Sequence, residues 1–212
     1  MNASPPRLRG SRDVWLNAAY DLLISEGIDA VKIMSLAKRL DLSRTGFYWF
    51  FKDLSELHNA MIDRWESQNT GHLLAHCALP ADSICEALFN LMDCWLKPAL
   101  FDASLDLAIR NWARIDANLR SRLDQADRQR ITAVADMFTR HGFSTEQADV
   151  RSLTVIYTQI GYISMQVKET PTERLARVQH YVELFAGAAP KPDEVARFMD
   201  RHQPPEISHA SP

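Results

Sequence analysis

Hydrogen-bond donors are concentrated in the short segment from Ser43 to Lys52. Arg44 can donate to guanine edges or to phosphate, and the hydroxyl groups of Thr45 and Tyr48 can donate to phosphate oxygens. These residue types suit a phosphate-rich duplex. Most candidate DNA-binding residues lie in this segment, and one lysine is added from just before the preceding helix. The candidates are Lys32, Ser43, Arg44, Thr45, Gly46, Tyr48, Trp49 and Lys52.

Two short helices are predicted to hold these donors in place. Apolar residues recur at i, i+3, i+4 and i+7 in the first helix, namely at Ile33, Leu36, Ala37 and Leu40. Asp41 tolerates a turn conformation, and Ser43 is a suitable N-cap for a second helix predicted from Arg44 to Phe50. Phe47 and Phe51, four residues apart, would face inward and leave the donors outside. Two helices joined by such a turn form the layout of a DNA-reading helix-turn-helix.

With the preceding helix and its final glycine, this stretch resembles the TetR family of transcriptional regulators. The resemblance covers about the first quarter of the chain and is carried by Trp15, Ala18, Ala19, Leu22, Leu23, Gly27, Leu36, Ala37, Leu42, Ser43, Phe47, Tyr48, Phe51, Lys52 and Leu57. It implies a homodimer with an N-terminal DNA-binding bundle and a larger domain that binds a ligand. It also implies that the family's DNA-contacting positions are occupied here by Arg44, Thr45, Gly46, Tyr48 and Lys52.

Two positions depart from the family's pattern. Asp41 stands at a turn position that is usually glycine, which adds a mild conformational cost. Phe50 stands where a phosphate-contacting histidine is common, so one polar contact is missing. These departures keep another interpretation open, in which the helix-turn-helix has become a protein-binding surface.

The composition is that of an ordinary globular protein, with 46% apolar and 24% charged residues among 212. No apolar run approaches the roughly 20 residues that a membrane helix needs, so a cytoplasmic protein without a membrane partner is predicted. The net charge of −3 is uneven, because residues 1–52 hold eight basic and five acidic side chains and the remainder carries −6. A basic head would be drawn to a polyanion in a salt-dependent way, although so small an excess can also arise by chance.

The rest of the chain shows amphipathic helical patterns separated by prolines, glycines and capping residues. The predicted fold is all-α, with an N-terminal three-helix DNA-binding bundle followed by a larger helical domain. The predicted boundaries are 1–52 for the DNA-binding domain, which begins with a flexible basic arm, 53–203 for the ligand-binding and dimerisation domain, and 204–212 for a mobile tail. The alternative is a plain bundle whose apolar stripes form core only.

Aromatic and sulfur-containing side chains of the middle helices could line an apolar cavity. Each of them alone is more typical of core packing, and only the family resemblance favours a cavity. A small, largely apolar effector is expected there, with candidate contacts at Phe89, Met92, Trp95, Trp112, Phe138 and Tyr157.

The helix predicted from Thr145 to Glu169 is apolar on two sides, and one side is expected to meet a second subunit. One stripe consists of Ile156, Ile160, Ile163 and Val167, and the other of Val150, Leu153, Tyr157, Gly161 and Met165. The pattern does not choose between them. Including the helix that follows, the candidate dimer contacts are Ile156, Ile160, Ile163, Val167, Val178, Val182 and Phe185. The alternative is a monomer in which both stripes are internal.

No catalytic site, metal site or cofactor is predicted. His72 and His76 lie four residues apart, but Leu73 occupies the glutamate position of an HExxH motif, and two ligands do not close a zinc site. The predicted function is a TetR-like transcriptional regulator, a ligand-responsive repressor that binds a palindromic operator on double-stranded DNA as a homodimer. The competing class is an all-helical small-molecule-binding protein or enzyme whose N-terminal bundle does not bind DNA.

Overall fold

The computed structural model describes residues 10–202, and within that range the regular structure is helical throughout. The α-helices are α1 (Arg12–Glu26), α2 (Ile33–Leu40), α3 (Arg44–Phe47), α4 (Leu54–Trp65), α5 (His72–Cys77), α6 (Ile84–Leu96), α7 (Ala103–Trp112), α8 (Ala117–Arg140), α9 (Thr145–Ser164), α10 (Pro171–Ala186) and α11 (Pro192–Asp200). A 3-10 turn lies at Ile28–Ala30 and a π-helical segment at Glu66–Gly71. The all-helical prediction is confirmed. None of the helices between residues 10 and 202 has the length and apolar character needed to cross a bilayer.

The predicted N-terminal arm and C-terminal tail fall almost wholly outside the described residues. The arm was placed at residues 1–10, of which only Gly10 is described, and the tail at residues 204–212. The rest of the structural account therefore concerns the helices from α1 to α11.

The sequence also predicts capping residues at Ser144 and Thr170, and the structure has a side-chain cap at both. Ser144 accepts a hydrogen bond from the backbone of Gln147, whose side chain bonds the Ser144 backbone in return. Thr170 and Glu173 form the same reciprocal pair at the start of α10. Each pair satisfies N–H groups that the first turn of a helix leaves without partners. These starts are thus defined by residues next to one another in sequence.

Two helices differ from their predicted ranges. α9 ends at Ser164 rather than at Glu169, because Gln166 adopts a left-handed conformation with φ 49°. The sequence also predicts one helix from Asp53 to about His72, and in the structure it continues to Cys77 through α4, the π-helical segment and α5. A π segment holds one extra residue per turn, so it shifts the faces of the helix that follows.

Contacts between residues divide the chain into two compact units. The first contains the chain up to residue 72 together with residues 102–129. The burial of its apolar stripes confirms the predicted inward faces of α1 and α2. Its largest fully buried side chains are Trp15, Leu36, Phe47, Phe51, Leu57, Met61 and Trp65. The boundary predicted at residue 52 divides the chain by function and stays a prediction.

A buried polar network joins α4, the π segment, α7 and α8 within the first unit. Asp106 is fully buried and accepts hydrogen bonds from Trp65 Nε1 at 2.9 Å, Asn69 Nδ2 at 3.3 Å and Arg110 Nε at 2.8 Å. Arg110 then donates to both carboxylate oxygens of Asp127 at 2.8 and 2.7 Å. The bidentate geometry fixes the relative orientation of α7 and α8.

The second unit contains, among the described residues, 73–101 and 130–202. Its central helix, α6, is buried along most of its length. α11 packs on it through Phe198, whose ring stacks on Phe89 with centroids 4.6 Å apart. His202 Nε2 also lies 2.6 Å from Asp93 Oδ1. The C-terminal helix is thereby attached to α6 by both apolar and polar contacts.

Candidate nucleic-acid interface

The turn between α2 and α3 is built on Asp41, which has φ 52° and ψ 40°. This left-handed conformation is common for glycine, and aspartate is one of the few other residues that adopt it. Two backbone hydrogen bonds close the turn, from Asp41 N to Lys38 O at 3.3 Å and from Leu42 N to Ala37 O at 3.0 Å. The departure from glycine at this position is therefore accommodated without a change in the turn.

The α3 helix is a single turn held from beneath by aromatic rings. Ser43 caps it by accepting a hydrogen bond from the Gly46 backbone at 3.2 Å. Phe47 has no exposed surface, and its ring centroid lies 5.4 Å from those of both Trp15 and Phe51. Aromatic pairs at this spacing add to the stabilisation that burial provides. The predicted inward role of Phe47 and Phe51 is confirmed.

The recognition helix predicted from Arg44 to Phe50 is shorter than expected. After Phe47 the backbone winds more tightly, because the N–H groups of Trp49 and Phe50 bond carbonyls three residues back, at 3.4 and 3.0 Å. Residues 48–50 are thus turns that continue directly from the end of α3. Their side chains therefore stay close to those of the helix.

The outer side of this segment is exposed over most of the predicted DNA contacts. Arg44, Thr45, Tyr48 and Lys52 are all exposed, and Trp49 exposes 82% of its surface. Arg44 Nη2 donates to Tyr48 Oη at 3.3 Å, which places the two predicted contacts side by side. Lys32 and Ser43 are exposed as well. The structure brings the predicted donors together, while their contact with DNA stays a prediction.

Gly46 was predicted because the absence of a side chain lets a backbone approach a duplex. A Cβ atom at this position would have its nearest neighbours at 3.7 Å from Ser43 Oγ and 3.9 Å from Trp15 Cζ2, which are ordinary contact distances. The protein's own packing therefore does not require glycine here, and the approach of a duplex to Gly46 stays a prediction.

Arg12 holds the C-terminal end of the recognition segment and was missed by the sequence reasoning. Its Nη1 atom donates to the Phe50 carbonyl at 2.9 Å and to Glu56 Oε1 at 3.1 Å, and its guanidinium lies 4.3 Å from the centroid of the Phe51 ring. The hydrogen bond from the Lys52 backbone, followed by that from Arg12, lowers the pKa of the exposed Glu56 carboxyl. Arg12 is thus a positioning residue that ties α1 to the donor-bearing turn.

His58 lies behind the helix-turn-helix, next to Val31 and Trp112. Its ring makes a hydrogen bond with the Val31 backbone and meets the Trp112 ring edge-on with centroids 5.0 Å apart. Nε2 is buried and has no hydrogen-bond partner within residues 10–202. Burial lowers the pKa of His58, against a smaller opposing effect of Asp116.

We expect His58 to make the folded protein less stable in mild acid. The pKa of His58 in the folded protein is below the unfolded value of about 6.5, so the unfolded chain takes up the proton first as the pH falls. The stability that depends on a neutral His58 is therefore present above about pH 6.5 and is lost below it. Urea unfolding measures this effect. Between about pH 7.5 and about pH 5.5, the free energy of unfolding should fall more for the native chain than for His58→Gln. Equal losses in both proteins would show that His58 is not buried as described.

A cleft between α6, α9 and α10 is the candidate ligand site of the second unit. It encloses about 430 Å³ of space, part of which is open to solvent, and its lining residues are Met92, Trp95, Leu96, Val155, Thr158, Gln159, Tyr162, Arg174, Val178, Tyr181 and Phe185. Of the six residues predicted to contact a ligand, the structure places Met92 and Trp95 in this cleft.

The other four predicted ligand contacts lie elsewhere. Phe89 packs under Phe198, and Phe138 is buried with Phe143 beside it. Trp112 belongs to the first unit, and Tyr157 is 59% exposed on the outside of α9. Aromatic residues with helical spacing occur in cores and in clefts alike, so residue type alone could not separate these positions.

Most of the predicted dimer contacts are already buried within one chain. The chain itself leaves little exposed area on Ile156, Ile163, Val178, Val182 and Phe185, and Val178 and Phe185 line the cleft. Ile160 is half-buried, and Val167 is exposed but lies beyond the end of α9. Val150 and Tyr157 of α9, and Met165 directly after its last residue, instead expose 59–78% of their surface, so the second apolar stripe is uncovered at these positions.

Comparison with known proteins gives a match that coincides with the helix-turn-helix. Residues 16–61 match the tetR family of bacterial regulatory proteins. An uncharacterized HTH-type transcriptional regulator of Bacillus subtilis (strain 168), YdeS, is 24% identical over 163 residues, covering 74% of this chain and 79% of that protein. The matched region contains the capped turn, its aromatic anchor and the exposed donors.

Solved structures share the fold along most of the chain. A transcriptional regulator from Aquifex aeolicus VF5 superposes with a TM-score of 0.66 at 13% identity, covering 82% of this chain and 99% of its own. GusR from Salmonella enterica superposes with a TM-score of 0.63 at 15% identity, covering 87% and 96%. At such identities the likeness establishes the fold, an N-terminal helix-turn-helix followed by further helices.

Proposed function

We propose that this chain, which is a TetR-family transcriptional regulator, acts as a repressor that binds a palindromic operator as a homodimer and releases it when a small effector binds. As a regulator of this family it is not an enzyme. The observation that supports the proposal best is the exposed donor surface of Arg44, Thr45 and Tyr48 above the fully buried Phe47. Two-fold symmetry would present two such surfaces to successive major grooves, about 34 Å apart.

The donors divide into two roles. Arg44 begins α3, and the N-terminal residues of a recognition helix are the ones that reach base edges, so Arg44 is proposed to read the sequence. Tyr48 and Lys52 are proposed to bond phosphates, which sets the position of the helix without selecting a sequence. Arg12 supports both roles because it holds the Phe50 carbonyl.

We expect Arg44→Ala and Tyr48→Ala to weaken DNA binding in different ways. Loss of a base contact should lower affinity for the operator by about 1 to 3 kcal/mol and leave binding to a scrambled duplex nearly unchanged. Loss of a phosphate contact should weaken binding to both duplexes about equally and reduce the salt dependence. Fluorescence anisotropy with DNA flanking the protein's own coding region, at two salt concentrations, measures both effects.

Arg120→Ala is the matched control, since Arg120 is an exposed arginine of α8 that pairs with Asp124. It should leave both affinities unchanged. Equal losses in the two test variants would show that Arg44 positions the protein without reading bases. The absence of any salt-sensitive binding by the native chain would overturn the proposed operator binding.

The dimer is proposed to form through the uncovered stripe of α9, marked by Val150, Tyr157 and Met165. Gly161 lies in the same stripe, and a Cβ atom there would meet nothing within 4 Å, so a second helix could approach closely. An isologous contact would set this stripe against its own copy. The proposed interface therefore lies on the opposite side of the helix from the predicted stripe that begins at Ile156.

We expect Tyr157→Arg to raise the dimer dissociation constant about tenfold or more, because each copy would bury an unpaired charge in an apolar contact. Gln125→Arg adds the same charge at an exposed position of α8 and should leave the dimer intact. Light scattering after size-exclusion chromatography over a dilution series gives the measurement. A dimer that tolerates Tyr157→Arg as well as the control would exclude this stripe.

The effector is proposed to act through its differential affinity for two states of the dimer. A ligand shifts an equilibrium only by the extent to which it binds one state better than the other. A ligand that favours the state with recognition helices too far apart for one face of a duplex would therefore lower operator affinity. The cleft of the second unit, with its apolar walls, is the proposed place of binding.

A further inference from the structure

The walls of the cleft between α6, α9 and α10 are mainly apolar and aromatic. Four of the lining residues are aromatic rings, contributed by Trp95, Tyr162, Tyr181 and Phe185. Tyr181 stacks on Phe185 with centroids 5.9 Å apart and meets Tyr162 edge-on at 6.4 Å. A planar ring placed in this space would extend the array with the same offset and edge-on contacts.

One polar group of the cleft is unusual in that it has no hydrogen-bond partner. Trp95 is more than nine-tenths buried, and its Nε1 donor makes no hydrogen bond to any residue from 10 to 202. Gln159 is buried to a similar degree and adds a second polar side chain to the wall. Because buried donors are nearly always bonded in native proteins, the Trp95 donor marks a place where a bound molecule would complete the hydrogen bonding.

The charge in the cleft is positive. Arg174 is the charged residue among those that line it, and no aspartate or glutamate belongs to the lining. The nearest carboxylate partner of Arg174 is Glu169, at 3.7 Å from Nε, which is beyond hydrogen-bond distance. Glu169 Oε2 accepts hydrogen bonds from Arg177 Nη1 at 2.5 Å and from Tyr162 Oη at 3.2 Å, whereas Glu169 Oε1, which faces Arg174, is buried and has no hydrogen-bond partner within residues 10–202. Arg174 therefore forms an ion pair with Glu169 but no hydrogen bond to it, and its guanidinium keeps hydrogen-bonding capacity for a bound molecule.

We propose that the cleft binds a small aromatic carboxylate, with its ring among the aromatic walls and its carboxylate bonded by Arg174. The unpartnered donor of Trp95 and the amide of Gln159 supply further hydrogen bonds to acceptor atoms of the same molecule. This inference rests on the proposed function, since it names the chemical class of the effector at that site. It predicts weaker binding of amines, which would meet Arg174 as a like charge.

The test uses the full chain and a matched series of probes, 3-phenylpropanoate, 3-phenylpropan-1-ol and 3-phenylpropan-1-amine, measured by titration calorimetry. The acid should bind more tightly than the alcohol, and the amine most weakly. Arg174→Gln should lower the affinity for the acid about tenfold or more, because hydrogen bonds to charged groups are the strong ones, and leave the alcohol unchanged. Arg128→Gln removes an exposed arginine of α8 and should change neither.

Trp95→Phe is the second variant, because it keeps an aromatic ring in the wall and removes the N–H group together with part of the indole. It should weaken acid binding severalfold while the thermal unfolding midpoint of the variant stays close to that of the native chain. Equal binding of acid, alcohol and amine, or an Arg174→Gln protein that binds the acid normally, would overturn the carboxylate assignment. Absence of binding by all three probes would overturn it as well.

An operator-binding measurement on the same samples tests the proposed regulator separately from the proposed ligand class. Fluorescence anisotropy with the operator and no probe present tests the regulator itself and does not depend on the cleft. Release of DNA by the acid, at the concentrations that saturate the calorimetric site, would support both. Normal operator binding together with no preference for the acid would reject the ligand class and leave the proposed regulator unaffected.

Discussion

Asp106→Ala should lower the free energy of unfolding by about 3 to 5 kcal/mol, as breaking a buried ion pair generally does. Asp106 is fully buried and accepts hydrogen bonds from Trp65, Asn69 and Arg110. Alanine removes the acceptor that these three donors share and leaves the buried cation of Arg110 with one carboxylate instead of two. Urea unfolding followed by far-ultraviolet circular dichroism measures the change.

Asp124→Ala is the control for this prediction. Asp124 also pairs with an arginine of its own helix, Arg120 at 3.0 Å, but both side chains are largely exposed. Exposed pairs of this kind contribute about 0 to 1 kcal/mol, so its removal should be almost neutral. Similar losses in the two variants would show that the Asp106 network is no more than a surface pair.

The parts of the fold that sequence predicts well are those governed by neighbouring residues. The capping pair Ser144 and Gln147 and the turn at Asp41 involve residues within a few positions of one another. The same holds for the inward pair Phe47 and Phe51, whose spacing fixes one face of a helix. Local spacing and backbone preference decide these features before any tertiary contact forms.

Arg12 shows where such reasoning ends. It bonds the carbonyl of Phe50, 38 residues further along the chain. Nothing in the spacing of either residue signals the pair, because an exposed arginine on a first helix is consistent with many roles. The same applies to Asp106 and Trp65, which meet across 41 positions. Contacts at this separation depend on how the helices pack, which the periodicity of one helix does not specify.

The two apolar stripes of α9 illustrate a different limit. Periodicity predicted correctly that both sides of the helix are apolar, but a buried core and an interface between subunits place the same demand on residue type. Only the packing of α10 against one side, together with the burial of each residue, shows that Ile156 is covered and Tyr157 is not. The candidate cleft follows the same logic, since Met92 and Trp95 could be assigned to it only after the helices were placed.

Phe47→Ala and Trp49→Ala, two positions apart, should differ strongly in their effects on stability and on DNA binding. Phe47 is fully buried between Trp15 and Phe51, so its loss leaves a cavity and should lower the free energy of unfolding by about 3 to 5 kcal/mol. Trp49 exposes 82% of its surface, so its loss should change that free energy by no more than about 0.5 kcal/mol. Chemical denaturation of both variants gives the first half of the test.

Operator affinity, measured by anisotropy under conditions in which both variants stay folded, gives the second half. Phe47→Ala should weaken binding strongly although Phe47 touches no DNA, because Arg44 and Tyr48 lose the anchor that holds their helix in place. Trp49→Ala should weaken binding only through its own lost contact. A Phe47→Ala protein that remains folded and binds the operator normally would show that the aromatic anchor does not position the donors. A Trp49→Ala protein with normal affinity would remove Trp49 from the proposed DNA contacts and leave the anchor argument standing.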